Sequence, residues 1–196
     1  MYAAGHILAS LGLATLAARR RPALLAPLAA IAMAVNAIDL DHIIFHRLDD
    51  GTANSLTLHP AHVYFPLIAA GLFLAGMLDQ RRLPYWMMAL GGLCLHMALD
   101  ALATMLNYRL AVLAAVDAAL LLAVCLLFWR LPLEASRRRL ISFAVTACLV
   151  CNGVQGFMHF GLGLRLDRDA VVVFVAPALS LAAGAAFWRM FRRKAF

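Results

Sequence analysis

Long apolar runs separated by short polar clusters repeat along the whole chain, at about residues 2–18, 22–40, 61–78, 84–106, 110–129, 140–162 and 170–188. A helix needs about 20 apolar residues to cross a hydrocarbon core, with a range of roughly 17–25. The pattern predicts an all-α fold, a polytopic transmembrane helix bundle of about seven spans, or six if one terminal run fails to cross. The run 2–18 has no basic stretch ahead of it and is followed by Arg19, Arg20 and Arg21. A cleavable signal peptide has the opposite polarity, so this run is expected to stay as the first helix.

Composition agrees with this reading. The 196 residues are 65% hydrophobic, against roughly 45–50% in soluble domains, and the mean hydropathy is +0.86. One transmembrane domain over 1–196 is expected, with 1–105 holding the chemistry-bearing motifs and 106–196 adding further helices. The net charge of +7 does not point to nucleic acid, because the basic residues punctuate the ends of the apolar runs. That placement is the topology signal of a membrane protein. With the N-terminus outside and seven crossings, the cytoplasmic side holds Arg19, Arg20, Arg21, Arg81, Arg82, Arg130, Arg137, Arg138, Arg139, Arg189, Arg192, Arg193 and Lys194. Of the 17 basic residues, only Arg47, Arg109, Arg165 and Arg168 remain outside. The C-terminus is then cytoplasmic, and Trp86, Trp129 and Trp188 all fall at the inner interface, where an aromatic belt is expected. Membrane lipids, anionic ones at the inner leaflet in particular, are the partners this charge distribution suggests. Oligomeric state is not encoded in the pattern. Cys94, Cys125, Cys148 and Cys151 all lie inside apolar runs, so the Cys148/Cys151 CxxC reads as packing and no disulfide is expected.

The same threading gathers the polar residues at the outer end. His6 lies near the start of the first run; Asp39, Asp41 and His42 close the second; His59 and His62 open the third. His96 and Asp100 occupy the outward half of the fourth, and His159 the outer end of the sixth. Ionisable groups are expensive in hydrocarbon and persist where they coordinate, pair or catalyse. His96 and Asp100 form an HxxxD at i and i+4, which projects both side chains from one helix face. In a soluble helix that spacing is common, but within an apolar span it favours a shared metal, or an imidazole oriented by the carboxylate. Asp39-Leu40-Asp41-His42 sets two carboxylates and an imidazole where a helix runs out. Neighbouring carboxylates repel unless a cation bridges them, and this donor set suits zinc, with manganese or iron as alternatives. In Leu58-His59-Pro60-Ala61-His62 the proline suits the first helical position, leaving His59 near the cap. Gly5 beside His6 can admit a close neighbour. His46, Asp49 and Asp50 read as solvated loop residues. Asp117 lies within the fifth run and could pair with Arg109 or hydrogen-bond inside the bundle.

The expected metal ligands are therefore His6, Asp39, Asp41, His59, His96 and Asp100. Asp41, His42 and His62 are the expected catalytic groups, with His42 or His62 as a further ligand or the general acid. With these residues in order, the chain resembles a family of small bacterial inner-membrane proteins described as membrane-bound metal-dependent hydrolases, formerly a domain of unknown function. That family's pattern is an early His, then PDxDH, then HRGxTHS, then HxxxD in an apolar helix. Gly5-His6, Ile38-Asp39-Leu40-Asp41-His42, Leu56-Thr57-Leu58-His59-Pro60 and His96 to Asp100 match it in turn, over about 1–105. Ile38 replaces the proline of the second element, the HRG half of the third is missing, and Pro60 replaces its serine; His62 is a substitute for the lost histidine. The family's chemistry is itself inferred from similarity to zinc phospholipase C and related nucleases. The resemblance implies a bacterial inner-membrane enzyme facing the periplasm, cleaving a phosphoester or other ester of a lipid or amphiphilic substrate with metal-activated water. A metal transporter or sensor is the first alternative, but a permeation path needs polar groups across the full depth and the inner half has almost none. A non-catalytic interaction protein with internally paired polar residues is the second. The seven-span zinc hydrolases of the ceramidase and progestin-receptor type carry a late HxxxH that is absent here.

Overall fold

The computed structural model describes residues 3–40, 60–106, 109–131, 134–164 and 170–192. Every element among these residues is helical: α1 (Ala3–Ala18), α2 (Leu25–Ala34), a single turn α3 (Pro60–Val63), α4 (Phe65–Leu78), α5 (Leu83–Met105), α6 (Leu110–Arg130), α7 (Glu134–Gly156) and α8 (Ala170–Phe191). A 3-10 turn, Pro22–Leu24, leads into α2, and a 3-10 tail, Val35–Leu40, continues it. Among the described residues, five helical stretches are long and apolar enough to cross a membrane: Pro22–Leu40, Gln80–Met105, Ala111–Arg130, Ser136–Gly161 and Phe174–Phe191. The other two apolar runs fold as shorter helices. α1 has 16 residues and α4 has 14, reaching about 24 and 21 Å at about 1.5 Å per residue, against about 30 Å of hydrocarbon. These two helices separate the sequence count of seven from the five of full length.

The two differ in where they sit. α1 is the central helix: 12 of its 16 residues are buried, and α2, α5, α6, α7 and α8 all pack on it. Its neighbours bury its first nine residues, and only toward its end are Leu16 and Ala17 exposed. α4 is peripheral. It packs along α5, buries only Gly76, and leaves Leu67, Phe73 and Leu74 exposed, as a lipid-facing helix would. The run 61–78 breaks at Tyr64 because Pro66, second residue of α4, has no N–H to donate one turn back to the His62 carbonyl. His62 is thereby carried on its own turn, ahead of α4.

Close helix contacts are set by small residues, the usual means of bringing backbones together in apolar surroundings. A Cβ on Gly92 of α5 would lie 3.4 Å from Ala32 Cα, and one on Gly184 of α8 would lie 3.2 Å from Met33 Cβ and 3.4 Å from the Ala30 carbonyl. α2 is thus gripped from both sides. Gly184→Leu is expected to wedge α8 off α2 and cost about 1–3 kcal/mol, as overpacking does. Thermal unfolding in detergent reads this as a lowered Tm. Gly153→Leu is the control, because no atom beyond its own stretch of helix lies within 4 Å of a Cβ there; equal melting of the two variants would show that α2 and α8 are not tightly packed.

Candidate metal centre

Four elements meet at the end of the bundle where α1 begins and α5 ends. His6 lies one turn into α1, on the fully buried part of that helix. Below it, Ser10 Oγ donates to the Ala32 carbonyl at 3.2 Å, which fixes α1 against α2 at this level. In the 3-10 tail of α2 the winding is three residues per turn, so side chains at i and i+3 eclipse. Asn36 and Asp39 have that spacing and are both buried. On α5 the buried residues Met88, Gly92, His96 and Asp100 recur every four positions. The HxxxD therefore lies on the stripe that faces α1 and α2. α3 contributes His62.

The distances are short. His96 Nε2 lies 3.0 Å from Asp39 Oδ1 and 3.0 Å from Asp100 Oδ2. His62 Nε2 lies 3.5 Å from the same two oxygens. His6 Nε2 is 3.1 Å from Asp100 Oδ1, and its ring stacks on that of His96 at 4.5 Å between centroids. One ligand atom each from His6, Asp39, His96 and Asp100 can be chosen so that all lie within 4.8 Å of one another. His96 is 1% exposed and Asp39, the most accessible of the five, only 8%.

The other edge of the His96 ring decides what Nε2 can do. Asn36 Nδ2 donates to Ser180 Oγ of α8 at 3.4 Å. Its Oδ1 is left to accept from His96 Nδ1 at 3.2 Å. With the proton held on Nδ1, a neutral imidazole turns the lone pair of Nε2 toward the carboxylates. A lone pair cannot rest 3.0 Å from two carboxylate oxygens, so a positive centre belongs between them, either a proton or a metal ion. Four ligands on a tetrahedral ion with bonds of about 2.1 Å are separated by about 3.4 Å. The contacts of 3.0 Å from His96 to Asp39 and to Asp100, and of 3.1 Å from His6 to Asp100, approach that spacing. Oxygen and imidazole donors together fit zinc, manganese or iron. His6 Nδ1 is buried with no hydrogen-bond partner among the described residues, the kind of orphan atom that a functional centre tolerates.

Of the residues singled out in the sequence, His6, Asp39, His62, His96 and Asp100 converge here. Asp41, His42 and His59 lie outside the described residues, as do His46, Asp49 and Asp50. His159 stands apart, in a π-helical turn (Phe157–Gly161), with Nδ1 donating to the Leu164 carbonyl at 3.1 Å. Asp117 is fully buried on α6 and faces Asn152 of α7; among the described residues it forms no ion pair with Arg109. All four cysteines are free thiols. The sequence reading passed over Asn36 and Ser180. Asn36 is, with Asp39, one of two polar residues in the run 22–40, three positions apart, and that spacing was the available signal. Ser180 has no local signature, since only the packing of α8 on the 3-10 tail brings it to Asn36.

Comparison with protein families, with curated proteins and with solved structures finds no match to this chain. What characterises it is the geometry itself: an all-helical, membrane-type bundle with a buried His/Asp group able to hold a metal ion.

Proposed function

We propose that this protein is a metal-dependent hydrolase embedded in the bacterial inner membrane. In this reading the chain crosses seven times, the N-terminus lies outside, and the His/Asp site faces the periplasm. The observation that carries it is the position of His96 Nε2, 3.0 Å from a carboxylate oxygen of each of Asp39 and Asp100. Asp39, His96 and Asp100 would hold the ion, with His6 completing the set. A divalent ion supplies Lewis acidity and lowers the pKa of a coordinated water toward about 7. Asn36 keeps the His96 proton on Nδ1, so that Nε2 stays available as a ligand. Asp100 uses both oxygens, Oδ2 toward His96 and Oδ1 toward His6, and so ties α1 to α5 across the site. His62, on its separate turn, is placed to carry a proton at Nε2 to a leaving oxygen. The burial of all five groups excludes bulk water, which favours an amphiphilic substrate entering from the lipid, and a lipid phosphoester is the first choice. The motif resemblance over 1–105 supports the same reaction class.

The test is release of the phosphorylated headgroup from phospholipid in mixed micelles by purified protein. Turnover that stops with chelator and returns with zinc or manganese is the expected result. No metal-dependent release from any lipid phosphoester would overturn the substrate assignment. A non-catalytic polar cluster is the competing reading, and one observation favours it: a protonated His96 would satisfy Asn36, Asp39 and Asp100 without any metal.

A further inference from the structure

A cleft lies at the opposite end of the bundle. α1 ends, the Pro22–Leu24 turn begins and α5 starts around one open cleft of about 400 Å³, within the size range of small-ligand pockets. Its walls are apolar, with Leu13, Leu24, Leu28 and Met87 among them, and its charged groups are Arg20 and Arg21. Ala17 and Pro84 also line it. Ala17 is 11 residues along α1 from His6, and Pro84 is 12 residues before His96 on α5. At about 1.5 Å per residue the cleft is about 16–18 Å from the His/Asp group, so it is not the mouth of that site.

Both arginines are exposed, and neither has an ion-pair partner among the described residues. Asp79, the acid closest in sequence to the Pro84 wall, is already engaged: it pairs with Arg82 at 3.9 Å and accepts from the Trp86 indole at 3.5 Å. The cleft thus combines unneutralised guanidinium charge with a greasy wall. Guanidinium groups match phosphate oxygens bidentately. A free phosphate would use the arginines and leave the accessible parts of Leu13, Leu24 and Met87 uncovered. A ligand with a phosphate head and an acyl chain uses both.

We infer that this cleft is a binding site for an anionic phospholipid, with the headgroup phosphate on Arg20 and Arg21 and the start of an acyl chain against α1, α2 and α5. The occupant would sit where the chain leaves α1 and brace α1 against α2 and α5, the helices that carry His6, Asp39 and His96. The inference does not depend on the hydrolase reading, because it requires neither a metal nor turnover.

The test is native mass spectrometry of the full chain in detergent, with phosphatidylglycerol or with phosphatidylethanolamine of the same acyl chains. A one-to-one adduct retained for phosphatidylglycerol and lost for phosphatidylethanolamine is expected. Arg20→Gln with Arg21→Gln should weaken it about thirtyfold, from about one surface-charge contribution per arginine. Ala17→Phe, which fills the cleft from an exposed position and leaves both charges, should weaken it too. Arg138→Gln with Arg139→Gln, an exposed basic pair on α7 away from the cleft, should leave the adduct unchanged. Equal retention of the two lipids, equal losses in the two arginine pairs, or indifference to Ala17→Phe would overturn the site. Displacement of the lipid by an equal concentration of inorganic phosphate would reassign the cleft to soluble anions.

Discussion

Protein purified in detergent is expected to carry stoichiometric zinc, manganese or iron, and His96→Ala or Asp100→Ala to lose it. His96 supplies the nitrogen that faces both carboxylates, and Asp100 supplies the oxygens shared between His62, His96 and His6. Removing an outer partner of a metal ligand typically weakens binding 10–100-fold; removing a ligand itself should exceed that, by more than about a hundredfold. Stability alone does not separate a metal centre from a proton-bridged cluster. In either case His96→Ala removes the nitrogen that faces both Asp39 and Asp100 and leaves two buried carboxylates less well compensated, at a cost of up to about 3–5 kcal/mol. Metal content does separate them. Asp100→Asn keeps the shape and one acceptor oxygen, so it serves where Asp100→Ala fails to fold. His159→Ala, away from the group, should retain the ion. Binding also stabilises only the folded state, so chelator should lower the Tm of the wild type and leave that of Asp100→Asn unchanged. Well-folded wild type that stays metal-free after reconstitution would sink the hydrolase reading and leave the proton-bridged cluster.

The helical, membrane-type character of the chain was legible because hydrophobicity is set by local composition, and every apolar run does form helix. Lengths were legible as well: the runs 2–18 and 61–78 reappear as α1 and as α3 with α4, nearly to the residue. What packing adds is the place of α1, whose alanine- and leucine-rich sequence reads like that of any other run and does not show that it lies at the centre of the bundle. The split at Tyr64 was written in Pro66, since a missing backbone donor acts locally. Among site residues, the HxxxD was readable from its spacing, which fixes His96 and Asp100 on one face. Threading the chain by its arginines also gathers His6, Asp39 and His62 at the same end as that pair; what it could not give is their direct contact, across 94, 57 and 34 residues of chain. Asn36 was overlooked because an amide carries no charge and a lone one in an apolar run reads as an isolated imperfection. Its meaning comes from the ring it touches.

That contact yields the second large expected effect. Asn36→Leu should weaken metal binding about 10–100-fold, the range for an outer partner that fixes a ligand's tautomer, although Asn36 would touch no ion. Without the Oδ1 acceptor, His96 Nδ1 is left buried and the proton is free to move to Nε2, where it competes with the metal for the same lone pair. Ser180 loses its partner as well. Some destabilisation accompanies this, because unsatisfied buried polar groups cost about 1–3 kcal/mol each. The readout must therefore be one that a merely structural role would not move. Asn36→Asp provides it: it keeps an acceptor facing Nδ1 but changes the partner of Ser180, so a tautomer-holding role predicts that affinity largely returns. A packing role predicts that Asp fails as badly as Leu. Metal titration of the three proteins in the same detergent, compared at temperatures where each is fully folded, distinguishes these outcomes. Wild-type affinity in Asn36→Leu would remove Asn36 from the site altogether.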